Sequence, residues 1–172
     1  MKQALLIAVT IMLTACASVS PRPADNASFE WTVSEEFGIE VPVPAWWEAG
    51  EYPGGITSYD IRSLNNHVVL KILILGPPST GFSDADSIAQ FRAGGVREGL
   101  VFEPISRTID GIQVQGLVTV GRDPEKQILL IHHPLTVYLV VMEIQEVTTP
   151  EERAQVFYIL DHMKLNGVEL DE

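Results

Sequence analysis

The chain has 172 residues, of which 46% are hydrophobic, and it carries 23 acidic against 11 basic side chains and one cysteine. This composition excludes an intrinsically disordered chain, a disulfide-stabilised miniprotein and a collagen-like repeat, and the length suits one domain with a substantial core. A net charge of −12 argues against binding to nucleic acid, because the phosphate backbone requires a basic surface.

The first sixteen residues have the pattern of a secretory signal. Lys2 precedes an uncharged, apolar stretch of 12 residues, 4–15, which is too short for a membrane-spanning helix of about 20 residues. Leu13-Thr14-Ala15-Cys16 resembles the lipobox of bacterial lipoproteins. The resemblance implies cleavage of residues 1–15, a diacylglycerol on the sulfur of Cys16 and a third acyl chain on its new amino group. An ordinary cleaved signal and an uncleaved anchor are the alternatives.

Residues 16–28 are expected to join the lipidated cysteine to the folded part as a flexible tether. Beyond Cys16 they contain no large apolar side chain except Val19, so little burial would offset the entropy lost on ordering. Ala17 after the cysteine resembles the outer-membrane sorting signal of enterobacteria-like lipoproteins. We therefore expect a cell-envelope protein that faces the periplasm and is held by acyl chains on Cys16, with the outer membrane favoured.

The folded part, residues 29–172, is predicted to be one domain that opens with strands. Apolar and polar residues alternate over residues 37–41, as they do in a half-buried strand. This strand is expected to stop at Pro42, because proline cannot donate to a central hydrogen-bond ladder.

Two further strands are predicted at residues 56–64 and 68–75. Asn65 and Asn66 between them favour a turn, since asparagine tolerates left-handed backbone. The second strand is apolar at nearly every position, with Lys71 as its only charge. Such a strand is expected to be covered on both faces of its sheet.

A helix is predicted to begin after Ser83, whose hydroxyl suits the N-cap and is followed by acidic residues that complement the helix dipole. Gly94 and Gly95 weaken this helix and favour an end or a kink there. Asp110 and Gly111 are a strong signal for a two-residue hairpin turn. The strands predicted in this half are residues 101–109, 112–120, 128–132 and 137–145, of which the last is expected to be central.

The final helix has clear boundary signals. Thr149 suits the N-cap, Pro150 the first helical position, and Glu152 completes a capping box. Asn166 and Gly167 are expected to end the helix in a left-handed cap. The order of elements predicts an α+β domain, with a mostly antiparallel sheet of about six to seven strands flanked by helices. The predicted buried stripe of the helix is Val156, Ile159, Leu160 and Met163.

Four short segments resemble PsbP-like proteins. They are residues 37–47 (a glycine-led strand that runs into prolines and then tryptophan), 107–111 (an I-x-G hairpin), 137–141 (a late central strand) and 157–163 (a closing helix). The resemblance covers roughly residues 36–165 and implies an α-β-α sandwich. It also implies a role in binding or assembly, because the family includes an extrinsic photosystem subunit, a Ran-binding regulator and envelope lipoproteins of the DcrB kind.

Side chains with catalytic or metal-binding chemistry are few. His132 and His133 are candidate metal ligands, but neighbours on a strand point to opposite faces and do not easily bind one ion. No nucleophile elbow, zinc-protease motif, P-loop or Rossmann fingerprint is present. We therefore expect no enzyme, no cofactor and no metal, and a metal-assisted hydrolase centred on either histidine is the least favoured alternative.

Trp46, Trp47 and Tyr52 lie in a loop rich in proline and glycine. Aromatic side chains in such a loop either pack beneath it or form a recognition patch, since aromatics are enriched at interface hot spots. These three are the candidate partner-binding residues. The predicted function is a non-catalytic binding or assembly module for another envelope protein. The alternative is a carrier for a small apolar ligand held between sheet and helix.

Overall fold

The computed structural model describes residues 28–53, 56–78, 84–97 and 99–170, so the predicted signal peptide, Cys16, most of the predicted tether and the predicted N-cap Ser83 lie outside these ranges. The strands are β1 (Phe29–Ser34), β2 (Ile39–Pro44), β3 (Glu48–Tyr52), β4 (Ser58–Arg62), β5 (Val68–Gly76), β6 (Phe102–Ile109), β7 (Ile112–Thr119), β8 (Glu125–His132), β9 (Val137–Ile144) and β10 (Lys164–Leu165). The helices are α1 (Asp84–Arg97) and α2 (Pro150–His162). Neither helix is long and apolar enough to cross a membrane.

The strands form two antiparallel sheets. The larger has seven strands in the order β3-β4-β5-β9-β8-β7-β6, and the smaller has the order β1-β2-β10. Every pair of neighbouring strands is antiparallel. This arrangement confirms the predicted α+β fold and the central place of β9, while the smaller sheet is a feature that the sequence does not reveal.

The two faces of the seven-stranded sheet are covered differently. One face packs against α2 and the smaller sheet and forms the main core. On the other face, Phe91 of α1 packs with Leu130, Val137 and Leu139 in a smaller cluster. Helix α1 thus covers the part of this face formed by the second half of β5 and the adjoining parts of β8 and β9. The rest of this face consists of β3, β4, the first half of β5 and the neighbouring ends of β9 and β8, which carry Glu143 and Lys126; we call it the open face.

The expectation that β5 is covered on both faces is correct only for the second half of the strand. Leu70 and Ile72 point into the main core and are fully buried, whereas Val69 and Lys71 point the other way and are partly exposed. Helix α1 packs over Leu73 and Leu75 on that side but not over the first half of β5. The ammonium group of Lys71 therefore reaches solvent, and its charge is not buried.

The expectation that the strand at residues 37–41 stops at Pro42 is also wrong, because β2 continues through Pro44. Strand β1 pairs with the whole of β2 on one side. On the other side, β10 pairs only with Ile39 and Glu40. Neither proline therefore has to donate a hydrogen bond to β10, and the strand continues past both.

The start of α2 is confirmed and its predicted end is wrong. Thr149 accepts from the backbone N–H of Glu152, and the Glu152 carboxylate accepts from the backbone N–H of Thr149, which completes the capping box. The helix ends at His162 rather than at Asn166 and Gly167. The residues after it form β10, so the helix ends before Gly167, the glycine that the sequence favours as its cap.

The predicted hairpin turn at Asp110 and Gly111 is confirmed. Both residues have positive φ, 49° and 76°, as a two-residue type I′ hairpin requires.

The prediction that α1 ends or kinks at its two glycines is wrong. Helix α1 continues through Gly94 and Gly95 to Arg97. Gly95 lies so close to the ring of Phe102 that an added Cβ would be 2.7 Å from its Cζ. The absence of a side chain at this position therefore allows Phe102 to pack against the helix.

Candidate functional site

The three aromatic residues proposed for partner binding have different environments. Trp47 is 7% exposed and packs in the main core. Trp46 is 40% and Tyr52 is 53% exposed. Trp46 precedes β3 and Tyr52 is its last residue, so these two side chains stand at opposite ends of an edge strand. Trp47 therefore stabilises the fold, and only Trp46 and Tyr52 offer surface to a partner.

Tyr52 belongs to an ordered group of polar side chains on the open face. The guanidinium carbon of Arg62 lies 4.6 Å from the centroid of the Tyr52 ring. Arg62 also donates to the carboxylate of Asp60, which accepts a 2.6 Å hydrogen bond from the Ser58 hydroxyl. Asp60 is 4% exposed, and its hydrogen bond raises the pKa of Arg62 above the ordinary value. The tyrosine ring and the cation are thus held in place before any partner arrives.

The charged side chains of the open face follow the strand register. Arg62 pairs across the strands with Val69, which pairs with Glu143, which pairs with Lys126. Lys126 and Glu143 form a 2.8 Å ion pair. Lys71 is partly exposed and lies between Asp60 and Val141 in the next row of the sheet. The result is a flat polar surface on which positive and negative groups alternate.

Two shallow grooves cross the open face and share Arg62. One has a volume of about 210 Å³ and is lined by Glu48, Ala49, Gly50, Glu51, Tyr52, Asp60 and Arg62. The other has a volume of about 240 Å³ and is lined by Arg62, Asn66, Val69, Lys71, Pro124, Glu143 and Gln145. Open grooves of this shape suit a protein surface with complementary charges better than an enclosed small molecule, which is usually held in a deeper and more apolar pocket.

The edge beside the open face is acidic. Glu51 of β3 lies near Glu36, and the repulsion between the two carboxylates raises the pKa of Glu36. Glu51 also contributes to the raised pKa of Tyr59, after the larger effect of burial. A partner that approaches β3 therefore meets a negative strand edge with Trp46 and Tyr52 at its two ends.

A wider groove of about 610 Å³ lies at the loops that flank β8 and α2. Four of its charged side chains have partners within the protein. Arg153 pairs with Glu125, Arg122 donates to the carbonyl of Gly99, and Asp123 accepts from the backbone N–H of Glu146. The described residues that line it include no aromatic side chain, whereas the open face carries Tyr52, so the groove is a weaker candidate than the open face.

The two adjacent histidines do not form a site together. His132 lies on the α1 side of the sheet, in register with Val137. His133 lies beyond the strand, 6.4 Å from the ring of Tyr138, and its Nδ1 accepts from the backbone N–H of Leu135. Within the described ranges, no group of three or more His, Cys, Asp or Glu residues is placed to hold a metal ion.

Sequence reasoning missed Asp60, Arg62 and Glu143 as members of the candidate site. The sequence does contain one signal for them, namely a charged residue within a segment that otherwise has the pattern of a strand. Lys71 in β5 is an example. A charge at such a position indicates a strand face that reaches solvent or pairs its charges. It does not reveal which strands lie side by side.

The fold has a counterpart among solved structures. No protein-family model matches the chain, and no curated protein sequence matches it. The solution structure of the cyanobacterial PsbP (CyanoP) from Synechocystis sp. PCC 6803 matches with a TM-score of 0.58 and 16% sequence identity, and the match covers 89% of this chain and 98% of that chain. At this identity the similarity concerns the fold, and the domain described here has a PsbP-like fold.

Proposed function

We propose that this protein is a lipid-anchored component of the cell envelope whose domain binds another envelope protein and catalyses no reaction. The lipobox-like residues before Cys16 support the anchor. The ordered group of Tyr52, Arg62 and Asp60 on the open face is the observation that carries the binding role. The resemblance to PsbP-like proteins, which share binding or assembly rather than one chemistry, fits this role.

The chemistry of the open face favours a protein as its partner. Tyrosine and arginine are enriched among residues that dominate interface energetics. Arg62 is already oriented by Asp60 and covered on one side by Tyr52, so little side-chain entropy is lost when a partner binds. The alternating charges beside it would fix the register of the partner rather than supply most of the affinity.

Cross-linking in intact cells tests this proposal. We expect the native chain to capture one defined envelope protein, and Tyr52→Ala to reduce its yield about tenfold, which corresponds to a contact worth about 1.4 kcal/mol. Trp46→Ala is expected to have a smaller effect in the same direction. Captured proteins are identified by mass spectrometry, and thermal melting of each purified variant verifies that the domain is folded.

Val101→Ala is the matched control for this experiment. Val101 is 62% exposed and precedes β6, the opposite edge of the sheet, so its loss should leave capture unchanged. If no envelope protein is captured, the binding role is wrong. If capture occurs but Tyr52→Ala and Val101→Ala behave alike, the open face is not the binding surface.

A second candidate function, the carriage of a small apolar ligand, is favoured by a cavity of about 320 Å³. Among the described residues it is lined by Leu75, Ser87, Gln90 and Phe91, between β5 and α1. Native mass spectrometry of the chain from Cys16 onward should then show a bound molecule that Ser87→Leu displaces, because the larger side chain fills the cavity. Ala89→Leu, at an exposed position of the same helix, should leave the ligand bound. Spectra without a ligand would contradict this role.

A further inference from the structure

The outer face of the smaller sheet carries exposed apolar side chains. Thr32 of β1 is in register with Val41 in the main core, so Trp31, in register with Pro42, points away from that core. Trp31 is 53% and Val33 is 62% exposed. We call the patch formed by Phe29, Trp31, Val33, Tyr158 and Lys164 the β1 surface.

Contacts within the β1 surface join it to α2 and β10. The ring of Phe29 lies 4.4 Å from that of Tyr158. The ammonium group of Lys164 lies 5.2 Å from the centroid of the Trp31 ring and also pairs with Glu40 at 3.2 Å. The patch is therefore built from three elements and combines aromatic rings with a cation that another residue neutralises.

The β1 surface lies where the chain leaves for the predicted lipid anchor. Phe29 is the first residue of β1, and the carbonyl of Ser28 accepts a 3.1 Å hydrogen bond from the backbone N–H of Ala45. Twelve residues separate Cys16 from Phe29. The patch thus begins at the point where the folded domain meets its predicted tether.

The length of this tether limits how the domain can face the membrane. A flexible chain of this length has a root-mean-square span of about 20 Å. A domain of this size has a radius of gyration of about 14 Å, and hence a diameter well above the span of the tether. The start of β1 is consequently held near the lipid. Tyr52 lies on the face of the seven-stranded sheet that is opposite to the smaller sheet.

The residue types of the β1 surface suit the headgroup region of a bilayer. Tryptophan and tyrosine concentrate at membrane interfaces, where an apolar ring and a polar N–H or O–H are both satisfied. Lysine beside them keeps its charge in water while its stem covers apolar surface. A short tether also gives an effective concentration in the millimolar range, so a weak contact is enough to orient the domain.

We propose that the β1 surface rests in the headgroup region of the anchoring membrane, with the Trp31 indole among the lipid headgroups. This inference depends on the lipid anchor of the proposed function. It places the open face away from the membrane, where a partner has access to Tyr52 and Arg62. With a net charge of −12, the protein gains no electrostatic attraction to anionic lipid, so contact is expected on neutral phosphatidylcholine and should weaken as anionic lipid is added.

Tryptophan quenching on vesicles tests this surface. The chain from Cys16 to Glu172 is coupled through its one cysteine to a maleimide lipid in phosphatidylcholine vesicles, which supplies an anchor that does not depend on lipidation in cells. The chain has three tryptophans, and Trp46→Phe leaves Trp31 as the exposed one. We expect its emission to shift to shorter wavelength on coupling and brominated phosphatidylcholine to quench it at least twofold.

The matched control moves the exposed tryptophan to the open face. The variant Trp31→Phe, Trp46→Phe, Tyr52→Trp carries it at a position whose native residue is 53% exposed, as Trp31 is, and brominated lipid should not quench it. Equal quenching at positions 31 and 52, or quenching at neither, overturns the proposal. A blue shift without quenching also overturns it, because a second copy of the chain then covers Trp31. If lipid quenches Trp31 on vesicles but Cys16 is not lipidated in cells, the β1 surface is a membrane-binding surface and the predicted native anchor is wrong.

Discussion

Cys16→Ala is expected to remove the protein from the membrane fraction and to abolish its labelling with radioactive palmitate. Each buried methylene of an acyl chain contributes about 0.8 kcal/mol, so two or more chains hold a protein firmly and their loss releases it. The acidic surface offers no electrostatic substitute, given the net charge of −12. The expected effect is a near-complete transfer to the soluble fraction, measured by fractionation of cells that express each form.

Ala17→Asp is the matched control for the anchor. It changes the neighbouring residue and leaves the cysteine available, so labelling should persist. In enterobacteria-like sorting it should also move the protein from the outer to the inner membrane, which density-gradient separation measures. If Cys16→Ala retains its label, the lipobox prediction is wrong. If it loses the label but stays in the membrane fraction, the β1 surface or a partner holds the domain there.

Local interactions are the part of the fold that the sequence predicts well. The capping box of Thr149 and Glu152 is correct because its members lie within one turn and bind each other. The hairpin at Asp110 and Gly111 is correct for the same reason, since two residues determine the turn. The end of α2 is different, because the segment after it pairs with β2, more than a hundred residues earlier in the chain. A distant strand therefore overrides the local signal of the glycine at position 167.

The candidate site shows the same division between local and distant effects. Trp46 and Trp47 are neighbours of the same type, and their different exposure follows from the turn that leads from the smaller sheet into the larger. Composition alone does not reveal which of the two is buried. The group of Tyr52, Arg62 and Asp60 depends on the pairing of β3 with β4, which alternation of residue types does not define.

Gly38→Ala is expected to destabilise the domain by about 3 to 5 kcal/mol, a large part of the 5 to 15 kcal/mol that holds a typical domain folded. Gly38 has a φ of +57° and lies so close to the backbone of Gly167 that an added Cβ would be 2.6 Å from its carbonyl carbon. Left-handed backbone costs an alanine roughly 1 to 2 kcal/mol. The remainder comes from the close approach, because a backbone carbonyl cannot rotate away as a side chain does.

Hydrogen bonds to the backbone at Phe37 and Gly38 prevent this segment from moving away from an added side chain. The backbone N–H of Asn166 donates to the Gly38 carbonyl at 2.7 Å, and the Tyr138 hydroxyl donates to the Phe37 carbonyl at 2.9 Å. Burial raises the pKa of Tyr138, which keeps the hydroxyl protonated for this bond. Moving the chain away from an alanine at position 38 would break these bonds, which join the turn before β2 to β9 and to the segment after β10. At about 2 to 4 °C per kcal/mol, we expect the melting temperature to fall by about 10 °C.

Gly121→Ala separates the two contributions. Gly121 has a φ of +64°, close to that of Gly38, but nothing lies within 4 Å of an added Cβ. Its replacement by alanine should therefore cost only the free energy of placing an alanine in left-handed backbone. We expect the melting temperature to fall by a few degrees in a thermal melt. If the two variants melt at the same temperature, the contact between Gly38 and Gly167 contributes nothing to stability. A larger fall for Gly38→Ala would show that the close approach of the turn before β2 to Gly167, and not backbone conformation alone, requires a glycine at position 38.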